Sequence, residues 1–307
     1  MPGLVPGIHV LAANEDVDGG DKPGNDGVRN LRRGETDFRM LARAFTALAL
    51  TVLLCTPIRA APCGGDFNQF LTAMAGEAQR SGVSRPVIDQ AFAGLTHDPT
   101  VIAFDRRQRG TFRKSFEDYA ATRVNESRVK RGHEALARHA ALLARVEQEF
   151  GPPKELIVAI WGLESDYGSG DIGKMPIMRT LATLAHDCRR TELFQGELIA
   201  ALKIHQRGDV PPAELIGAFA GEIGQTQFLP SSYLKYGVDY DRSGRVDLRR
   251  SVPDVLASTA NLLKVNGWRS GEPFSEGTAN FQVMREWNRS ELYRKAMHHF
   301  AGRLGAR

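Results

Sequence analysis

Glu164 closes the apolar run in "AIWGLESDYGSG" (159–170), directly before Ser165, Asp166 and Tyr167. At helical spacing it shares a face with Ile160 and Trp161, so the carboxylate is aimed where the helix buries its apolar side. A carboxyl group buried there can act as a proton donor near neutral pH, although helix ends also carry acids for ordinary reasons. A second stretch, "GAFAGEIGQTQFLPSSY" (217–233), sets Gly217, Gly221 and Gly224 beside Gln225 and Gln227. No Gly-Lys-Ser/Thr follows, which excludes a phosphate loop. Amides next to closely approaching backbone suit a neutral, hydroxyl-rich ligand such as a sugar. A third, "REWNRSELY" (285–293), offers Trp287, Asn288 and Tyr293.

A fourth stretch reads as a cation loop. In "DYDRSGRVD" (239–247), Asp239, Asp241, Ser243 and Asp247 stand at positions 1, 3, 5 and 9. Gly244 is at 6, the Arg245 carbonyl at 7 and Val246 at 8, which matches the first part of a calcium loop. Position 12 is Arg250 instead of glutamate, so the last ligand must come from elsewhere, and Asp254 is the nearest candidate. The bland alternative is a polar turn capped by its own aspartates. Calcium here would be structural, with no cofactor expected for catalysis.

The elements that must position these residues are helical. "DFNQFLTAMAGEAQRSG" predicts a helix capped by Asp66 and stopped by Gly82, and "SRPVIDQAFAG" one capped by Ser84. One long helix is expected over "ESRVKRGHEALARHAALLARVEQEFG" (126–151), with Leu136, Ala140, Leu143, Val146 and Phe150 as its stripe. His133 and His139, six apart within it, have a poor metal spacing and read as surface histidines. "PPKELIVAIWGLES" predicts the helix that carries Glu164, and four more follow at "MRTLATLAHD", "TELFQGELIAALKIHQRG", "PDVLASTANLLKVNGW" and "SELYRKAMHHFAGRLG". Only "GRVDL" and "ANFQVMRE" look extended, so the class is mainly α with at most a small β element.

Place in the cell is read from the N-terminus. Residues 1–39 are rich in Gly and Asp without periodicity, and are expected to be disordered or a start-site artefact upstream of Met40. Residues 40–61 follow the order of a secretory signal: Arg43, an apolar run from Ala44 to Leu54, then Ala60 and Ala61. That run is too short to span a bilayer as a helix. Bulky Leu54 before Cys55 argues against lipoprotein processing. Once Cys55 leaves with the signal, Cys63 and Cys188 remain, and in an oxidising compartment they are expected to bond; the alternative is two buried thiols. The 307 residues, 42% hydrophobic and 25% charged with net charge +4, fit an ordinary globular chain. No basic run alternates with aromatics, so no nucleic acid is expected.

Taken together, "ESDYG", "LATL", "RRTELFQGEL", "FAGEIGQTQFLPSSYLKYGVDYD" and "NLLKVNGW" resemble the lytic murein transglycosylase B family, from Phe67 to about Leu304. The resemblance implies a lysozyme-like core at 151–307, preceded by a helical region at 62–150 and interrupted by the calcium-loop-like insertion 239–254. It implies cleavage of the β-1,4 bond between N-acetylmuramic acid and N-acetylglucosamine in periplasmic peptidoglycan, leaving a 1,6-anhydromuramic acid end. Glu164 would be the acid and base, its pKa raised by burial against Trp161 and Leu163. Gln227, Asn288 and Tyr293 would bind the glycan strand, Trp287 would stack on a sugar where the family often has tyrosine, and Arg189 and Arg190 would face acidic stem-peptide or lactyl groups. A family member's calcium site with a late aspartate supports the loop reading. Ala218 and Leu262 depart from a serine and a tyrosine in that member. The alternatives are a lysozyme-type hydrolase using water, with Asp166 or Glu222 as a second carboxylate, and a non-catalytic wall-binding module. Protein partners are not legible.

Overall fold

In the computed structural model, residues 61–107 and 115–306 are described. The expected disordered segment 1–39 and the expected export signal 40–61, Cys55 included, lie outside them except for Ala61. Asp66 accepts a hydrogen bond from the Gln69 amide at 2.9 Å and starts α1 (Phe67–Arg80), as its position predicts. Ser84 precedes α2 (Arg85–Phe92) without a side-chain cap; Pro in the first turn supplies the start instead. After α3 (Pro99–Arg107), an element not foreseen from the sequence, α4 (Phe116–Arg123), is capped by the Ser115 hydroxyl.

The long helix expected over 126–151 is two helices. α5 (Glu126–Arg138) and α6 (Ala140–Phe150) meet at His139, whose φ of −109° and ψ of 20° belong to neither. The break lets α5 follow the later C-terminal helix while α6 turns to pack elsewhere. His139 is half-buried, edge-on to Trp161, rather than a plain surface histidine; His133 is exposed as expected.

Helix α7 (Lys154–Ser165) is buried at every position from Leu156 to Ser165, Glu164 included. A helix apolar all round belongs in an interior, so the single inward face expected from spacing understates it. It ends in a left-handed cap: Asp166 has φ 55° and Tyr167 φ 64°, and the Asp166 amide returns to the Gly162 carbonyl at 3.1 Å. Positive φ costs a non-glycine residue about 1–2 kcal/mol, and side-chain contacts offset it here. Asp166 accepts from Arg131 at 2.6 Å and from Arg128 at 3.2 Å, while the Tyr167 hydroxyl donates to the Arg128 carbonyl at 2.7 Å. The break after Glu164 is thereby bolted to α5.

Beyond the cap, α8 (Ile177–His186) and α9 (Thr191–Arg207) form a packed pair, with α3 against α8 and α2 against α9. α10 (Pro230–Tyr236) packs on α9, and α11 (Val252–Val265) lies against α6 and α7. α12 (Ala279–Val283) leads through a 3₁₀ turn at Met284–Glu286 into α13 (Glu291–Gly305), which packs along α7. Helices before and after residue 150 share one core, from Phe70 and Met74 to Phe300 and Leu304. Among the described residues none of these helices is long and apolar enough to cross a membrane.

Neither expected extended piece is a strand. "ANFQVMRE" is α12 and the 3₁₀ turn, because Thr278 caps it by accepting from the Phe281 amide. "GRVDL" is loop, its backbone bent around the carboxylates of Asp239 and Asp254. The β element is instead β1 (Met175–Pro176) paired antiparallel with β2 (Ile216–Gly217). Cys63 and Cys188 are disulfide-bonded across 125 residues, tying the chain ahead of α1 to the turn between α8 and α9.

Two stability outcomes follow. Replacing both cysteines by serine should lower the free energy of unfolding in denaturant by about 2–4 kcal/mol. Gly162→Ala, which in an ordinary helix would add about 1 kcal/mol, should instead destabilise by about 1–3 kcal/mol. A Cβ at Gly162 would sit 2.7 Å from the Tyr167 hydroxyl.

Candidate active site

Glu164 is the last but one residue of α7 and is 1% exposed. Its Oε1 accepts two hydrogen bonds, from the Trp287 indole N–H at 2.9 Å and from the Tyr293 hydroxyl at 2.6 Å. Trp287 follows the 3₁₀ turn ahead of α13, and Tyr293 lies in the first turn of that helix. Asn288 accepts the Ser290 amide at 2.9 Å, and Ser290 caps the helix by accepting from the Tyr293 amide. Asn288 thus shapes the turn that brings Tyr293 to the carboxylate. Trp287 is also 1% exposed, with its ring against Phe228. In this structure Trp287 acts as a hydrogen-bond donor to Glu164, and the face expected to stack on a sugar is covered.

Burial disfavours a charged carboxylate, whereas two donors on one oxygen favour it. Burial, then the neighbouring Glu164, pushes the Tyr293 hydroxyl well above its ordinary pKa, so it remains a donor across the physiological range. Two residues of α4 that the sequence reading passed over also border this pocket. The Tyr119 hydroxyl is pushed up by burial, with Arg123 opposing and Glu164 adding to it. Arg123 donates to the carbonyl of Leu163, the residue before Glu164, at 3.3 Å. The i, i+4 spacing of Tyr119 and Arg123 behind the Ser115 cap was the available signal.

The glycine-rich segment is buried from Phe219 to Phe228. What approaches its glycines is largely this chain's own backbone. A Cβ at Gly224, where φ is +77°, would lie 2.2 Å from the Leu248 carbonyl oxygen, and one at Gly217 would lie 2.1 Å from that of Glu222. Gln227, at φ 56°, donates its amide to the Gly224 carbonyl at 2.8 Å and closes a turn in which Ile223 pairs with Phe228. Gln225 ties this turn to α7: its Oε1 accepts the Trp161 indole N–H at 2.9 Å, and its amide donates to the Arg249 carbonyl. Ala218 is half-buried and Leu262 buried in the core, so neither restores the missing hydroxyl or phenol ring.

The other candidates are committed elsewhere. Burial alone would raise the Asp166 carboxyl, but the hydrogen bonds from Arg131 and Arg128 outweigh it and hold it below the usual range. A carboxylate fixed in its ionised form between two guanidinium groups is a structural clamp. Glu222 accepts the Ala220 amide at 2.9 Å. Arg189 and Arg190 both pair with the buried Asp105 of α3, and Arg190 also lies over the Phe194 ring. These pairs join α3 to the start of α9.

In the loop at 239–254, Asp239, Asp241 and Asp254 converge, each with a carboxylate oxygen within 4.8 Å of the others. Asp254 is fully buried and accepts the amides of Tyr240 and Asp247, both at 2.8 Å. Asp247 turns away to accept the Arg249 and Arg250 amides, and the Ser243 hydroxyl donates to the Arg245 carbonyl. The carboxylate trio fits a hard divalent cation, while Ser243, Arg245 and Asp247 are engaged with their own loop.

The model of the transglycosylase SLT domain matches residues 66–277. Membrane-bound lytic murein transglycosylase B of Escherichia coli (strain K12) is 41% identical over 131 residues, covering 42% of this chain and 36% of that protein. The chain thus matches about a third of the length of that relative. Among solved structures, SltB3 from Pseudomonas aeruginosa in complex with NAG-NAM-pentapeptide is 32% identical with a TM-score of 0.73, over 80% of this chain and 81% of that one. SltB1 from Pseudomonas aeruginosa, a soluble lytic transglycosylase, is 26% identical with a TM-score of 0.70, over 76% and 97%. With Glu164 in the last turn of its interior helix and its mainly helical fold, the chain belongs to the transglycosylase SLT domain family, among the lytic murein transglycosylases of type B.

Proposed function

We propose that this protein is a lytic transglycosylase that cleaves the β-1,4 bond between N-acetylmuramic acid and N-acetylglucosamine in peptidoglycan strands. The observation that carries the reading is the buried Glu164 carboxyl at the end of α7, held by Trp287 and Tyr293. As an acid it protonates the departing glycosidic oxygen; as the resulting base it takes the proton from the C6 hydroxyl of muramic acid while that oxygen closes on C1. One group serves both halves, so no water and no second carboxylate are required. The rival hydrolase needs a second carboxylate, and its two candidates are occupied, Asp166 by Arg128 and Arg131, Glu222 by the Ala220 amide. Because Glu164 is so enclosed, binding of a glycan strand must displace the side chains that cover it.

Gln227, Asn288 and Tyr293 are proposed to border the bound strand, Asn288 and Tyr293 by shaping and contacting the Glu164 pocket. A periplasmic location, reached through the export signal at 40–61, agrees with the Cys63–Cys188 disulfide, since such bonds persist in oxidising compartments. Asp239, Asp241 and Asp254 would hold Ca²⁺ as a structural ion that joins the loop to the N-terminus of α11.

Glu164→Gln should reduce release of anhydro-ended muropeptides from purified sacculi by about 10²–10⁴-fold. Its unfolding temperature should stay close to that of the wild type. Wild-type products identified by mass should be lighter than reducing ends by one water; reducing ends alone would select the hydrolase. Saturating Ca²⁺ should raise the unfolding temperature by about 5 °C over a chelated sample, and Asp254→Asn should abolish that rise. An unchanged wild-type melt would remove calcium from the account.

A further inference from the structure

Both hydrogen bonds that reach Glu164 from α13 and its approach end on the same oxygen, Oε1. The two donors differ in what they can tolerate. A tyrosine hydroxyl can donate or accept, but an indole N–H can only donate, since its nitrogen has no lone pair to offer. If Oε1 carried the acid proton in line with Trp287, hydrogen would face hydrogen in a buried pocket. The indole would lose that acceptor, and a buried donor left without one is penalised. Placing the proton on the other oxygen keeps both bonds.

We propose that Trp287 is a positioning residue that, with Tyr293, fixes which oxygen of Glu164 exchanges the proton. Oε1 remains an acceptor throughout, and Oε2 gives and takes the proton. This rests on the lytic reading above. In the first half the proton on Oε2 moves to the glycosidic oxygen as the bond from that oxygen to C1 breaks, its electron pair leaving with the oxygen. In the second half the C6 hydroxyl oxygen bonds to C1 and its proton passes to Oε2. One proton goes out and one returns, so Glu164 ends as it began. The indole and phenol need not turn at either stage, which is the condition for preorganised stabilisation of the charge that develops on the carboxylate.

The pair also sets acid strength. Each donor on Oε1 favours the ionised form against the burial that opposes it. Removing the indole N–H with Trp287→Phe therefore lets Glu164 keep its proton to higher pH. The alkaline limb of kcat/KM for release of anhydro ends should move up by about one pH unit. Tyr293→Phe should move it in the same direction. A slower enzyme whose limb has not moved in either variant would mean that these residues only pack. In the wild type, the Trp287 indole N–H resonance should titrate with the same midpoint as that limb and lose the transition in Glu164→Gln. An indole signal that ignores pH would overturn the proposal without recourse to the variants. Should the wild type yield only reducing ends, the lytic reading falls, while the indole titration still decides what Trp287 does.

Discussion

The arrangement depends on a single costly act, the burial of a carboxyl group at the end of a helix that has no exposed side. An isolated ionised carboxylate in such a place would cost several kcal/mol, and the surroundings are organised around that constraint. The Oε1 atom of Glu164 is met by an indole and a phenol, and the first turn of α13 is capped by Ser290 and braced by Asn288 so that both can reach it. The remaining freedom of the group, to hold or release a proton, is what the acid and base role proposed for it would use.

The same constraint explains why α7 stops where it does. Two consecutive left-handed residues, Asp166 and Tyr167, turn the chain away at once. They are sustained by Arg128 and Arg131 on α5 and by the Tyr167 ring wedged beside Gly132 and Gly162. A longer helix would move Glu164 away from the terminus, and a looser cap would let its direction drift. The Trp161–Gln225 bond then anchors the glycine-rich turn to the same helix, so that both flanks of the pocket are referred to α7.

Charged groups that look available in one dimension are mostly structural in three. Asp105 gathers Arg189 and Arg190, Asp166 gathers Arg128 and Arg131, and Asp247 is taken by backbone amides. Buried charges persist only when paired, and a fold with many helix termini to join has many uses for such pairs. Among the described residues, the carboxylates of Asp239, Asp241 and Asp254 lie together, and that of Glu164 is held by Trp287 and Tyr293.

By itself the sequence determined the mainly helical class, the cap at Asp66, the start of α2 after Ser84, the inward placement of Glu164, the break behind it, and Asp239, Asp241 and Asp254 among the six candidate ligands of the loop at 239–254. These follow from spacing and from local backbone chemistry, which neighbouring residues decide between them. It also supplied Asn288 and Tyr293, through resemblance, without saying how they act. Only the tertiary structure decided that 126–151 bends at His139, that "ANFQVMRE" is helical, that the Trp287 indole donates to Glu164, and that Arg189 and Arg190 pair with Asp105. It alone brought Tyr119 and Arg123 to the pocket. Each of these is a choice among partners far apart in the chain, made by burial and by the need to satisfy buried polar groups. Local pattern carries no record of that choice.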